Sequence, residues 1–151
     1  MTVAEEKRRE LDRLRGFGIN PSKMVVQNGC LIAYIDQDTA SDILDRESEW
    51  MRIEGRFIVP GEWTIPGTKV TIPVFEGMDN DGGCCFVEGF FHESAALRWL
   101  SNEYADTDTT HLRDAQRLDR ELDDVCPIEH PDRKAVVEWM MRQIQTWGGG
   151  Q

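Results

Sequence analysis

The chain has 151 residues, with 28 acidic and 17 basic side chains and a formal net charge of -11 at pH 7. So acidic a surface repels the phosphate backbone of nucleic acids and attracts basic surfaces, which argues against direct nucleic-acid binding. Hydrophobic residues make up 40% of the chain and aromatic residues 9%, too many for a disordered acidic tail. We therefore expect one compact domain over residues 1–151.

The sequence also bears on compartment and cofactors. It has no apolar run suited to a signal peptide or to the roughly 18 residues of a membrane span, so we expect a cytoplasmic protein without membrane contact. In a reducing cytosol the four cysteines, Cys30, Cys84, Cys85 and Cys126, are predicted to be free thiols. We predict no cofactor, because no glycine-rich phosphate loop, dinucleotide fingerprint, hydrolase elbow or His-Glu-x-x-His motif is present.

The first third of the chain predicts a helix, a hairpin and a second helix. Thr2 and Glu5 stand at capping-box spacing, and Gly16 follows, so residues 2–15 are predicted to be helical. The Asn28-Gly29 pair between two apolar runs is typical of a tight β-hairpin. Apolar residues at helical spacing from 39 to about 49 predict the second helix, with Asp38 or Thr39 as its cap.

Residues 51–91 predict extended structure. A first strand over 51–59 is expected to end at Pro60-Gly61, and Pro73 places a second strand, over 69–76, at an edge. A third strand returns over 84–91 after a turn-rich tip at 77–83. With the first hairpin, these segments give an antiparallel sheet of four to five strands.

The last third predicts about three helices, over 94–100, 110–125 and 131–147. The expected fold is α+β, in which the small antiparallel sheet packs against the N-terminal helix and the C-terminal helices. The predicted core consists of large apolar side chains on the inner faces of these elements: Trp50, Val74, Phe86, Leu97, Trp99, Leu118, Leu122 and Trp139.

Cysteine and histidine residues suggest two kinds of chemistry. Cys84 or Cys85 with His92 or His111 as a base is the candidate catalytic site, because a neighbouring imidazolium populates the reactive thiolate. Strand alternation favours the simpler interpretation that one cysteine of the pair is buried packing. Cys126 and His130, four residues apart, are the candidate zinc ligands, although flanking prolines favour an ordinary interhelical turn there, and we predict no metal.

The segment 77–88 imitates a calcium-binding loop. Asp79, Asp81, Gly82 and Glu88 fall at the third, fifth, sixth and twelfth places of that pattern. Gly77 stands at the first place, where an aspartate is needed, and the flanking segments predict strands instead of helices. We interpret the segment as an acidic hairpin turn.

Residues 103–124 give the clearest functional signal, with eight carboxylates against three arginines. The carboxylates are Glu103, Asp106, Asp108, Asp114, Asp119, Glu121, Asp123 and Asp124. On a helix whose other face is apolar, they would form a negative strip that mimics a phosphate backbone and docks in a basic cleft. The alternative is an ordinary solvated helix.

We therefore predict a non-enzymatic interaction protein, an inhibitor or accessory factor such as phages and mobile elements encode. Its expected partner is a basic protein surface, for which a nucleic-acid-binding protein is one candidate. A first alternative is a small enzyme or ligand-binding domain that uses the hairpin region between Cys84 and His92. A second is a homo-oligomeric subunit that buries exposed Trp63, Phe90, Phe91 and Trp147 against a second copy.

Overall fold

The computed structural model describes residues 3–45, 54–81, 84–104 and 106–149. Its helices are α1 (Val3–Gly16), α2 (Gln37–Asp45), α3 (Glu93–Ser101), α4 (Thr107–Arg120), α5 (Leu122–Val125) and α6 (Arg133–Trp147). Its strands are β1 (Lys23–Gln27), β2 (Cys30–Tyr34), β3 (Gly55–Thr64), β4 (Thr71–Asp81) and β5 (Cys84–Phe90). Among the described helices, none has the length and apolar character needed to cross a membrane.

The five strands form one sheet in sequence order, which confirms the predicted α+β fold. β1 pairs with β2, β3 with β4, and β4 with β5, all antiparallel. β2 and β3 are parallel, with Ala33 opposite Phe57. The sheet is thus mixed where we expected an antiparallel one, because the connection through α2 returns the chain to the same end of the sheet.

Local turn and cap chemistry explains the first third of the fold. Asn28 and Gly29 adopt positive φ angles of 51° and 79°, as the predicted two-residue hairpin requires. Asp36 caps α2, since its Oδ1 accepts a 2.7 Å hydrogen bond from the Thr39 backbone N–H. This bond lowers the pKa of Asp36. The cap prediction of Asp38 or Thr39 was therefore wrong by two or three residues.

Two prolines lie inside long strands. β3 runs through Pro60 and Gly61, so the prediction that it ends there was wrong. The pairing with β2 stops at Ile58, and the missing N–H of Pro60 therefore removes no bond to that strand. Pro73 likewise precedes the part of β4 that pairs with β5, which begins at Phe75 opposite Phe90. Pro73 therefore has the local edge position that was predicted, although β4 is an inner strand.

Each sheet face carries its own apolar cluster. The α2 face, which packs against α1 and α2, buries Phe57, Val59 and Met78. The opposite α3 face buries Ile58 and Phe90 against α3. A third cluster joins α4, α5 and α6 to the ends of β3 and β4.

The predicted core is largely confirmed. Trp99, Leu118, Leu122 and Trp139 are buried, while Val74 and Leu97 are half-buried. The prediction that Phe86 is a core residue was wrong: it is 49% exposed, because it lies on edge strand β5. Its ring lies 5.1 Å from that of Tyr104. Trp50 lies outside the described residues.

Candidate functional site

The two candidate cysteines do not reach His92. Cys84 and Cys85 open β5, whereas His92 follows its end, so extended backbone separates Cys85 from His92 by about 20 Å. Both cysteines are exposed. The predicted thiol-imidazole pair is therefore not formed, and the expectation that one cysteine is buried was also wrong.

His92 lies between two carboxylates of the acidic segment. Its Nδ1 is 2.7 Å from Asp114 Oδ1, and its Nε2 is bonded to Glu121 Oε1. The second oxygen of Asp114 accepts a 2.6 Å hydrogen bond from the backbone N–H of Phe91. Asp114 is only 4% exposed, so it cannot belong to a partner-binding face, and that part of the prediction is corrected.

The two carboxylates set the protonation of His92. The hydrogen bond to Asp114 is the largest cause that raises its pKa, and Glu121 adds to it against the opposing effect of burial. The raised pKa favours the imidazolium, the form in which both ring nitrogens donate and neither has a lone pair for general-base catalysis. The arrangement is an ionic clamp that fastens the end of β5 to α4.

The other histidines also have structural partners. His111 is buried, stacked between Phe90 at 4.5 Å and Trp147 at 4.0 Å between ring centroids, and its Nε2 lies 3.0 Å from Glu88 Oε2. His130 Nδ1 accepts a 3.0 Å hydrogen bond from the Asp132 N–H just before α6. Neither imidazole is thus arranged as a free ligand.

The candidate metal ligands do not converge. Cys126 is fully buried in the cluster under α6, as a small apolar side chain would be. Within the described parts of the chain, no group of three or more His, Cys, Asp or Glu side chains could hold a metal ion. Cys126 therefore packs in the core, and His130 bonds within the turn before α6.

The residue at the third place of the calcium pattern is directed into the protein. Asp79 Oδ2 lies 3.1 Å from Arg56 Nε and accepts a 2.5 Å hydrogen bond from the Tyr104 hydroxyl. Arg56 in turn donates to the Leu100 carbonyl oxygen. Asp79 thus belongs to a buried ion pair, while the hairpin predicted around it is present as β4 and β5.

The eight carboxylates of the acidic segment do not form one continuous strip. Asp114 and Glu121 bind His92, and Asp123 Oδ1 lies 2.8 Å from Arg133. The segment is also not one helix, because α4 ends at Arg120 and α5 begins at Leu122. The remaining five carboxylates are exposed and have no ion pair with any described residue: Glu103, Asp106, Asp108, Asp119 and Asp124.

The apolar residues proposed for an oligomer interface are mostly covered. Phe90 is buried against Trp99, and Phe91 and Trp147 are half-buried. Of the four, only Trp63 is exposed, at 42%.

Sequence reasoning missed a groove on the α2 face of the sheet. It has a volume of about 290 Å³ and lies between the start of α2 and the middle of α6. Its walls come from β3, β4, β5, α2 and α6 together, so no single sequence segment signals it. Its lining includes Gly61, Trp63, Glu76, Gly89, Phe91 and Trp139.

Comparison of the chain with family models, curated proteins and solved structures gives no match.

Proposed function

We propose that the protein is a non-enzymatic interaction protein that docks its acidic surface on a basic surface of a partner protein. The observation that supports this is the set of five exposed carboxylates, Glu103, Asp106, Asp108, Asp119 and Asp124, that lack an ion pair with the described residues. Unpaired surface carboxylates keep their full field in solution, and they gain Coulomb energy when a partner supplies cations.

The arrangement of charges around α4 adds to the argument. At 100° per residue, Asp108 and Asp119 lie on one side of α4, and Arg113 and Arg117 lie on the other, where they line a hollow beside α3. The negative surface at the two ends of α4 is therefore not neutralised by the arginines of the same helix. Such a surface steers a basic partner into contact, and a nucleic-acid-binding protein in the cytoplasm is one partner of this kind.

The experiment compares two variants that lose the same amount of charge. The face variant carries Asp106→Asn, Asp108→Asn, Asp119→Asn and Asp124→Asn; asparagine suits the left-handed backbone of residue 106, whose φ is 42°. The control variant neutralises four other exposed carboxylates, Asp45, Glu54, Glu129 and Glu138. Each protein is purified from its own host, and quantitative mass spectrometry measures the basic proteins that accompany it.

A basic protein that accompanies the wild type and the control, and is lost from the face variant, is the expected result. Its retention should also fall as salt rises from about 0.05 to 0.5 M, because screening weakens exposed charge pairs. Equal retention by all three proteins, or loss from both variants alike, would contradict docking through this face.

A further inference from the structure

We propose that the groove on the α2 face of the sheet binds the guanidinium of one arginine side chain on the basic partner. This inference rests on the proposed function, since it names the partner group that the protein recognises. It differs in location, because the groove is walled by the sheet, α2 and α6 and includes none of the carboxylates of residues 103–124.

The groove owes its depth to two glycines on the sheet. Gly61 of β3 lies opposite Val74, and Gly89 of β5 lies opposite Glu76, so the floor carries no side chain at either position. A Cβ at Gly61 would overlap the side-chain amide of Gln37, which shows how closely α2 approaches the sheet. Gln37 of α2 and Trp139 and Gln143 of α6 line the groove on either side of these two glycines.

Aromatic rings form one wall of the groove. The ring centroids of Trp63 and Trp139 are 5.7 Å apart at an interplanar angle of 48°. Phe91 meets Trp139 edge-on, at 5.6 Å and 71°. Trp139 is buried, while Trp63 is exposed on the α2 face. An indole with an exposed surface attracts cations through its ring quadrupole, and tryptophan does so more strongly than the other aromatic residues.

Charge complementarity selects a cation as the occupant. Glu76 lies on the inner strand β4, is exposed, and has no ion pair with any described residue. Glu62 also lines the groove, and an adjoining hollow of about 450 Å³ is lined by Asp36 and Asp38. Among the residues that the structure describes, no lysine, arginine or histidine lines either space. Every charged side chain described on the two linings is therefore a carboxylate.

Arginine fits this combination better than lysine. A guanidinium is planar and weakly hydrated, stacks on an indole, and donates two parallel hydrogen bonds to one carboxylate. An ammonium is a compact, strongly hydrated charge that gains less from an apolar wall. Trp63 and Glu76, which both line the groove, supply a stacking surface and a carboxylate.

The test uses the peptide Ac-Gly-Ser-Arg-Ser-Gly-amide and two matched peptides, with lysine or with citrulline, the uncharged isostere of arginine. The indole N–H signals of the 15N-labelled protein are followed during titration, and the Trp63 signal is assigned with the Trp63→Phe variant. We expect the arginine peptide to shift the Trp63 and Trp139 signals, the lysine peptide to bind at least threefold more weakly, and the citrulline peptide to leave both signals unchanged.

Three variants locate the binding. Gly89→Val adds a side chain to the floor of the groove at a position where a Cβ comes no closer than 3.7 Å to Val74, and it should lower the affinity at least tenfold. Glu76→Gln should lower it by a similar factor, whereas Glu138→Gln, an exposed carboxylate elsewhere on α6, should not change it. The indole and methyl spectra report whether each variant is folded.

The outcomes separate this inference from the proposed function. Equal binding of the citrulline peptide, or full binding by folded Gly89→Val, would overturn arginine recognition in the groove. If Gly89→Val also keeps the partner that the face variant loses, arginine recognition in the groove is contradicted and docking through the acidic face is supported. If the arginine peptide binds as expected while the face variant keeps every partner, arginine recognition in the groove is supported and docking through the acidic face is contradicted.

Discussion

Nδ1 of His92 lies 2.7 Å from Oδ1 of Asp114, and this pair joins the end of β5 to the buried side of α4. The residues are 22 positions apart. The sequence predicted a different role for each: His92 as a catalytic base and Asp114 as a partner-binding carboxylate. The contact shows that both serve the fold, and it makes the stability of the fold depend on pH.

The His92 clamp should stabilise the protein most at mildly acidic pH. Because its folded pKa is raised above 6.5, the contribution of His92 is fully present below that value and is lost as pH rises through the folded pKa. We expect the free energy of unfolding of the wild type to exceed that of His92→Gln most below pH 6.5, and the difference to shrink at higher pH. Urea unfolding at several pH values measures this, and a difference that stays constant with pH would contradict the imidazolium clamp.

Gly77 should be hard to replace even by alanine. A Cβ there would lie 3.0 Å from Cε3 of Trp99 and 3.4 Å from Cγ of Leu100, and both side chains are buried. Gly77→Ala is therefore expected to destabilise the protein by about 1 to 3 kcal/mol through overpacking.

Gly89→Ala is the matched control for Gly77→Ala, since its Cβ has ordinary contact distances and alanine suits a strand better than glycine. Urea unfolding of both variants should show a loss for Gly77→Ala alone. An equal loss for both would mean that backbone freedom, and not the contact with Trp99, makes Gly77 necessary.

The same glycine shows what the sequence could predict and what it could not. Local patterns identified the Asn28-Gly29 hairpin, the helices and the α+β class, because turn chemistry and apolar periodicity act over a few residues. Gly77 was instead assigned to a turn, since no nearby residue in the sequence indicates that the indole of Trp99, on a later helix, packs against it. Likewise, the parallel pairing of β2 with β3 and the groove depend on contacts between distant segments, which propensity does not encode.

The ion pair of Arg56 and Asp79 should carry a large share of the stability of the α3 face. Removing the carboxylate leaves a mostly buried guanidinium without its partner, so Asp79→Ala is expected to cost about 2 to 4 kcal/mol. Tyr104→Phe removes one hydrogen bond to the same carboxylate and keeps the ring contacts, and it should cost about 1 kcal/mol. Urea unfolding ranks the two variants.

Calcium provides the control for that ranking. Because Asp79 is engaged by Arg56 and Tyr104, adding millimolar calcium should leave the unfolding midpoint of the wild type unchanged. A rise in the midpoint that Asp79→Ala abolishes would restore the calcium-loop interpretation.

The four thiols should differ sharply in reactivity, and this difference bears on function. Cys84 and Cys85 are exposed, Cys30 is half-buried beside Arg56, and Cys126 is buried. A thiol reagent such as Ellman's should therefore label Cys84 and Cys85 rapidly, and should label Cys126 only after unfolding. Single serine variants assign each phase.

The double variant Cys84→Ser, Cys85→Ser tests whether a thiol site contributes to function. Cys85 is about 20 Å from His92 and forms no thiol-imidazole pair with it, so we expect the double variant to keep the basic partner of the wild type. Loss of the partner or of any activity in that variant, with its fold intact, would favour the thiol site over the acidic docking face.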